Sequence, residues 1–107
     1  MYKVFRSEPY EEKLNKLDKS DQIRVIKFEQ QLKNNPHTGK PLSFRFFREK
    51  KFNGKRLLYL IFDEFNIAFL VTITNKKEQQ NQINLIKLKL GKYKQEIEEI
   101  AKNFKPL

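Results

Sequence analysis

The chain has 107 residues, of which 23 are Lys or Arg and 13 are Asp or Glu, so its formal net charge is +10. This length suits one domain, over residues 1–107, and ten Phe and four Tyr argue against a disordered polypeptide. The absence of Cys and the presence of a single His exclude disulfides, thiolate metal sites and a Cys nucleophile, and no metal site or cofactor is expected. No apolar run approaches the roughly 20 residues of a membrane span, and no signal-peptide pattern is present. A cytoplasmic protein with no membrane partner is therefore expected.

A strand and a helical hairpin are predicted for the first third of the chain. Residues 2–6 are short and β-prone. Ser7, followed by an acidic residue and a proline, is typical of a helix N-terminus. A second helix begins after Asp18 or Ser20 and ends at Asn34-Asn35-Pro36, before a loop over residues 37–41.

Three antiparallel strands are predicted next, over Ser43–Phe52, Lys55–Asp63 and Ile67–Thr74. The first two are joined by Asn53-Gly54, the strongest short hairpin signal. Residues 57–62 are apolar at every position, as expected of a central strand. The helical hairpin should cover one face of this sheet, and the other face is either covered or partly open.

A long helix is predicted over about residues 79–104. Its apolar positions recur at intervals of three and four residues: Ile83, Ile86, Leu90, Tyr93, Ile97, Ile100 and Phe104. Gly91 lies inside this stripe and either bends or splits the helix. The predicted fold class is therefore α+β, with an N-terminal strand, a helical hairpin packed on a small twisted antiparallel sheet, and a C-terminal helix.

The predicted hairpin concentrates positive charge around one tight turn. Six cations lie on it: Arg45, Arg48, Lys50, Lys51, Lys55 and Arg56. Crowded like charges repel one another, so this pattern indicates a polyanionic partner, although solvated surface charge is the alternative for Lys50, Lys51 and Lys55. Phe44, Phe46, Phe47 and Phe52 interleave with these cations, and they either stack on bases or pack in the core.

The order of elements and three segments resemble the RelE/ParE superfamily of small bacterial and archaeal toxins. The segments are residues 35–42, Gly54–Tyr59 at the start of the central strand, and Asn75-Lys76-Lys77 at the end of the last strand. The resemblance covers most of the chain and implies a RelE-like fold. It also implies a ribosome-dependent endoribonuclease that cuts messenger RNA and is neutralised by an antitoxin. Such a toxin is a monomer when free or a hetero-oligomer with its antitoxin.

The resemblance also suggests site residues. It assigns a catalytic role to Arg56 and to Lys77 with Lys76 beside it, and it matches Arg48, Lys50 and Lys51 loosely to basic residues of the family. The charge of the hairpin adds Arg45 and Lys55 to these three as candidate RNA-binding residues. Metal-free cleavage through the ribose 2′-hydroxyl needs a base, a phosphate clamp and an acid. The Arg56 guanidinium suits the clamp because its fork grips two phosphate oxygens. Glu49 is the only carboxylate in the hairpin and is a candidate base.

Two departures from the family pattern leave other functions open. Residues 76–83 contain neither the Tyr nor the His that many active members carry after the last strand, and Glu49 lies near a position that is basic in those members. A catalytically weak or inactive RNA- or ribosome-binding domain is one alternative, and a ParE-like inhibitor of DNA gyrase is another. Arg56 alternatively pairs with Asp63 or Glu64, and Glu49 alternatively forms a salt bridge with Arg48 or Lys51.

Overall fold

The computed structural model describes residues 1–103, so Phe104, the last position of the predicted helix, lies outside the described residues. The elements in chain order are β1 (Lys3–Arg6), α1 (Glu8–Lys16), α2 (Lys19–Asn34), β2 (Lys40–Pro41), β3 (Phe47–Phe52), β4 (Lys55–Phe62), β5 (Ile67–Asn75), α3 (Gln79–Leu88) and α4 (Leu90–Asn103). Short 3₁₀ turns lie at Pro36–Thr38 and Asp63–Phe65. The α+β class is confirmed.

The five strands form one sheet in the order β1-β5-β4-β3-β2. β4 pairs antiparallel with β3 on one side and with β5 on the other, as predicted. β1 pairs in parallel with β5, so the sheet is mixed and the expectation of a wholly antiparallel sheet is corrected. A parallel pair requires a long connection, and here α1, α2 and three strands separate the two partners along the chain.

The edge next to β3 also differs from the prediction. Lys40 and Pro41 form the short strand β2 inside the predicted loop and pair with Glu49 and Arg48. A proline is tolerated there because β2 is an edge strand. β3 begins at Phe47 instead of residue 43, because residues 43–46 precede it as a turn.

Side-chain caps fix the two N-terminal helices. The Ser7 hydroxyl accepts from the Tyr10 N–H at 3.1 Å and donates to the Val71 carbonyl at 2.6 Å, so it caps α1 and also ties the helix to β5. Asp18, rather than Ser20, caps α2 by accepting from the Asp21 N–H at 2.7 Å. Both starts therefore follow the capping signals of the sequence.

Helices cover both faces of the sheet. On the first face, α1 and α2 contribute Tyr10, Leu14, Val25, Phe28 and Leu32 to a core with alternate residues of β4 and β5. On the second face, α3 and α4 contribute Ile83, Ile86 and Ile97 to a separate core that includes Phe47. The central strand β4 is therefore buried on both sides, as its continuous apolar sequence predicts.

The long C-terminal helix is divided in two. α3 ends at Leu88 and α4 begins at Leu90, so the break falls at Lys89 and not at Gly91. The Lys89 N–H donates to the Leu85 and Ile86 carbonyls at 3.2 and 3.0 Å, which closes α3. The predicted apolar stripe packs inward on both sides of the break. Among residues 1–103, no helix has the length and apolar character needed to span a membrane.

Candidate nucleic-acid interface

The β3–β4 hairpin forms at the position that the sequence predicts. Asn53 and Gly54 have φ values of 45° and 76°, the left-handed conformation that Asn-Gly favours in a two-residue turn. The register pairs Phe52 with Lys55 and Lys51 with Arg56. Because side chains alternate between the faces of a sheet, this register decides which cations lie together.

The hairpin cations are divided between the two faces. Lys51 and Arg56 lie opposite each other on the second face, together with Glu49 two residues before Lys51. Arg48, Lys50 and Lys55 have the opposite parity and lie on the first face, toward α1 and α2. The six cations therefore do not form one cluster. We call Glu49, Lys51 and Arg56 the Arg56 cluster.

Arg48 lies inward on the first face. It is 8% exposed, and its guanidinium donates to the carbonyl oxygens of Arg45 at 2.8 Å and Gly39 at 3.0 Å. These contacts fix the segment that precedes β3 and the loop around β2. Arg45 itself is exposed. A role for Arg48 in RNA binding stays a prediction, and its present contacts are structural.

Lys55 and Lys50 also contact the helical hairpin. The Lys55 ammonium lies 2.9 Å from a carboxylate oxygen of Asp21, which is 1% exposed and also accepts from the Asn53 amide at 3.2 Å. Hydrogen bonding from Lys55, with a second bond from Asn53, holds the pKa of Asp21 below its usual value. The Lys50 ammonium lies 5.5 Å from the centre of the Phe28 ring, within cation–π range. These interactions attach the hairpin to α2.

Arg56 is half-buried on the second face. Its Nη1 donates to the Gly54 carbonyl at 3.1 Å. Its Nε is fully buried and has no hydrogen-bond partner among residues 1–103. An unsatisfied buried donor costs free energy, and a donor of this kind is usually paired. Asp63 and Glu64, the alternative ion-pair partners, lie at the far end of β4 and contact Tyr2 and Lys94 instead.

Glu49 lies beside Arg56 on the same face and is 3% exposed. Its carboxylate accepts a short hydrogen bond from the side-chain amide of Gln79, the first residue of α3. Within residues 1–103, the Glu49 carboxylate therefore binds this amide and not Arg48 or Lys51, the predicted salt-bridge partners. The Gln79 contact joins the Arg56 cluster to the start of α3.

Lys76 and Lys77 lie at the same end of the sheet as Arg56. Thr74, which is opposite Arg56 in the β4–β5 register, precedes them in the chain. Both lysines are exposed in the turn between β5 and α3, and the Glu78 N–H donates to the Asn75 side-chain oxygen at 2.9 Å to close this turn. A cleft of about 320 Å³ at this end of the sheet is lined by Thr74 but not by Arg56, Lys76 or Lys77.

His37, the single His of the chain, and Tyr59 of the central strand lie outside the Arg56 cluster. Tyr59 is fully buried on the first face, as its parity relative to Arg56 predicts. Its hydroxyl donates to the Pro36 carbonyl at 2.7 Å and accepts from the Gly39 N–H at 3.0 Å, and burial raises its pKa. The His37 imidazole lies 3.9 Å from Asp63. Within residues 1–103, no group of three or more His, Cys, Asp or Glu side chains is placed to hold a metal ion.

The four phenylalanines of the hairpin region have different environments. Phe47 is buried in the second core and Phe52 packs against the first core. Phe44 and Phe46 are 39% and 40% exposed and stack on each other, with ring centroids 5.1 Å apart. The Lys87 ammonium lies 5.8 Å from the Phe44 ring centre. Core packing is therefore the outcome for Phe47 and Phe52, and base stacking by Phe44 and Phe46 stays a prediction.

The sequence does not predict two features of this region. Gln79 begins the predicted C-terminal helix, and no local pattern links it to Glu49. Lys13 and Lys16, on α1, line the cleft that Thr74 also lines. Residues three apart lie on one helix face, but this spacing does not indicate that the face is beside the end of β5.

Comparisons with known proteins bear on the fold. No protein-family model and no curated protein matches the chain. Solved structures do match. The Escherichia coli RelBE toxin–antitoxin complex has 19% identity and a TM-score of 0.64, over 70% of this chain and 96% of that chain. The RelBE2 toxin–antitoxin complex of Mycobacterium tuberculosis has 25% identity and a TM-score of 0.61, over 70% and 98%.

An archaeal structure matches equally well. The RelE–RelB complex of Pyrococcus horikoshii has 14% identity and a TM-score of 0.65, over 70% of this chain and 94% of that chain. At such identities, the match concerns the arrangement of the helices and the sheet. The chain therefore has the fold of the RelE toxins.

Proposed function

We propose that this protein is a RelE-like toxin that cuts messenger RNA on the ribosome and is neutralised by an antitoxin. The fold supports a RelE-like protein, since the similar structures are RelE toxins in complex with antitoxins. The observation that carries the catalytic part is Arg56, a half-buried arginine whose Nε is buried without a partner among the described residues. A phosphate would supply the acceptor that this donor lacks once the guanidinium turns outward, because the Nε is buried in its present position.

The proposed reaction is a transesterification within the RNA. The 2′-oxygen forms a bond to the adjacent phosphorus while the bond from phosphorus to the 5′-oxygen breaks, which leaves a 2′,3′-cyclic phosphate and a 5′-hydroxyl. The 2′-hydroxyl proton passes to the Glu49 carboxylate, and the 5′-oxygen takes up a proton from Lys76, Lys77 or water. Arg56 and Lys51 stabilise the additional negative charge that develops on the phosphate oxygens.

The lack of a Tyr or His between residues 76 and 83 defines the second candidate function. Without a dedicated acid, protonation of the leaving oxygen relies on lysine or water, and a domain of this kind can bind the ribosome without cutting the message. Binding without cleavage is the outcome that would identify this second function.

Primer extension on messenger RNA from translating ribosomes tests the proposal. The protein should cut at the decoding site, seen as new 5′ ends where reverse transcription stops, and Arg56→Ala should reduce their rate of formation about 100- to 1,000-fold, as for the loss of one charge-stabilising donor. Arg56→Lys should restore little, because an ammonium lacks the planar fork. Arg24→Ala is the matched control, since Arg24 is an exposed arginine on α2. Full cleavage by Arg56→Ala would refute the assignment.

Two further measurements separate the roles of the Arg56 cluster. Glu49→Gln preserves the size of the side chain and its capacity to accept a hydrogen bond, and it should lower cleavage about 100-fold or more while ribosome binding persists. The new 3′ ends should resist extension until their phosphate is removed, as a cyclic phosphate requires. Co-sedimentation with ribosomes and no new 3′ ends would indicate the binding domain instead.

The antitoxin is proposed to be an acidic protein that covers the basic end of the sheet, with carboxylates in the place of phosphates. The net charge of +10 favours such a partner, and the exposed Phe44–Phe46 pair offers an apolar contact. A neighbouring reading frame that encodes a small protein with an acidic helical tail should restore growth when co-expressed. Growth arrest that persists with that protein present would exclude it as the antitoxin.

A further inference from the structure

A basic cleft lies between α1 and the end of β5, at the same end of the sheet as Arg56. It has a volume of about 320 Å³, and its polar lining includes Lys13, Lys16, Lys55, Thr74, Asn75 and Glu78. We call it the α1 cleft. Its lining comes from α1, β4, β5, the turn before α3 and α3 itself, so it is built by the tertiary fold and not by one helix.

The α1 cleft lies at the same end of the sheet as Arg56, although α1 packs on the first face and the Arg56 side chain lies on the second. Thr74 lines the cleft and is opposite Arg56 in the sheet, and Asn75 lines it one residue further on. Neighbouring strands are about 4.8 Å apart, so the cleft begins roughly one strand spacing from the Arg56 backbone. A polynucleotide held at Arg56 must therefore pass around the end of β5, from the second face to the first, to enter the cleft.

Two lysines of α1 supply the charge in this cleft. The charge of Lys55 is offset by Asp21, 2.9 Å away. Lys13 donates one hydrogen bond to the Thr72 hydroxyl at 3.0 Å. This hydroxyl is neutral, so it does not balance the charge of Lys13, and the ammonium has two further N–H donors. Lys16 is exposed. Glu78 is the one carboxylate in the described lining, so the cleft remains net positive.

We propose that the α1 cleft binds phosphates of the single-stranded RNA that flank the cleavage site, with Lys13 and Lys16 as the phosphate ligands. The proposal rests on the proposed function, since it takes messenger RNA as the substrate held at Arg56. Flexible ammonium groups suit phosphates whose positions vary with sequence, because they bind as point charges. Glu78 limits the affinity by repelling the same phosphates.

The test measures the salt dependence of RNA binding by the full chain. The probe is a fluorescein-labelled, unpaired ten-nucleotide RNA with 2′-O-methyl groups, which cannot be cut. Each phosphate contact with a single strand contributes a slope of about −0.7 to log Kobs against log[salt]. The double variant Lys13→Gln/Lys16→Gln should therefore flatten the slope by about 1.4 and weaken binding on the order of 10-fold at 0.1 M salt.

A matched control removes the same charge elsewhere. Lys89→Gln/Lys92→Gln alters two exposed lysines beyond the far end of α3, which spans about 15 Å from the cleft side to Lys89. It should change the slope by much less than the α1 variant. Glu78→Gln should act in the opposite direction and tighten binding, and thermal unfolding checks that each variant is folded.

The outcomes separate this inference from the proposed function. A slope that is unchanged in Lys13→Gln/Lys16→Gln, or changed equally in the control, would overturn the α1 cleft as an RNA site. A loss of affinity for an acidic peptide, but not for RNA, in Lys13→Gln/Lys16→Gln would also overturn the α1 cleft as an RNA site. A slope that flattens only in the α1 variant supports the cleft even if no message is cut, in which case only the proposed catalysis fails.

Discussion

At the scale of single residues, contacts with other elements hold the basic hairpin in place. Asp21 is the clearest case, because one buried carboxylate accepts hydrogen bonds from both Asn53 in the turn and Lys55 at the start of β4. Lys55 immediately precedes Arg56, so this contact also fixes the position of the proposed phosphate clamp. Lys55, which the sequence places in a candidate RNA-binding patch, thus forms an ion pair within the fold, and its role in RNA binding stays a prediction.

The Asp21 contact predicts a pH-dependent stability. Its folded-state pKa lies below the unfolded value of about 3.9, so the ionised carboxylate stabilises the fold above that pH and loses this contribution as the pH falls through the folded-state pKa. Asp21→Asn should therefore lower the free energy of unfolding at pH 7, and the difference from the parent protein should shrink below about pH 4. Urea denaturation at pH 7, 5 and 3 measures it. A difference that is independent of pH would contradict the assignment.

At the scale of elements, two glycines differ in their surroundings. Gly39 is closely packed, whereas Gly91 is an open position in a helix. A Cβ on Gly39 would lie 2.6 Å from the Tyr59 hydroxyl and 2.8 Å from the Glu49 carbonyl, because the loop before β2 packs directly against the sheet. A Cβ on Gly91 in α4 would meet nothing within 4 Å. The two glycines therefore have opposite structural meanings, although both appear as helix or turn breakers in the sequence.

This contrast gives a paired prediction. Gly39→Ala should destabilise the fold by about 1–3 kcal/mol, since the added carbon overpacks a tight contact. Gly91→Ala should stabilise it by up to about 1 kcal/mol, because alanine has the higher helix propensity and the site is open. Chemical denaturation of both variants checks the signs. Destabilisation by Gly91→Ala would mean that this position does not behave as an ordinary helical site.

At the scale of the whole molecule, one sheet supports two cores. β4 and β5 contribute residues to both, with Leu57 and Tyr59 in the first core and Leu58 and Leu60 in the second. A loss of packing on either face is therefore transmitted to the same two strands. The fold should unfold as one cooperative unit despite its two helical layers.

Core truncations test that cooperativity. Phe28→Ala, in the first core, and Phe47→Ala, in the second, should each cost about 3–5 kcal/mol and lower one common transition. Phe46→Ala removes a ring of the same kind that is 40% exposed, and it should cost much less. Far-UV circular dichroism and tyrosine fluorescence should give coincident unfolding curves. Two separate transitions would show that the cores are independent.

Local signals in the sequence account for much of the fold. Ser7 and Asp18 cap their helices, Asn53-Gly54 closes the hairpin, and the apolar run of β4 marks the central strand. Each of these depends on interactions within a few residues. The parallel pairing of β1 with β5 and the short strand β2 depend on partners distant in sequence, so no local pattern revealed them.

The candidate site was predictable only in part. The strand register already implied that Lys51 and Arg56 share a face that Arg48 and Lys55 do not share, because side chains alternate. The buried acceptors of Arg48 and Lys55 belong to other elements, as does the Gln79 amide bound to Glu49. The catalytic and RNA-binding roles of these residues stay predictions.

The sequence by itself determined that this is a basic α+β protein with a charged Asn-Gly hairpin, because charge, apolar periodicity and turn chemistry are local properties of the chain. Only the tertiary structure decided which of these charges have partners within the protein. Burial and pairing depend on groups that the fold brings together from distant positions: Asp21 neutralises Lys55, backbone carbonyls occupy Arg48, and Arg56 keeps a buried donor without a partner among the described residues.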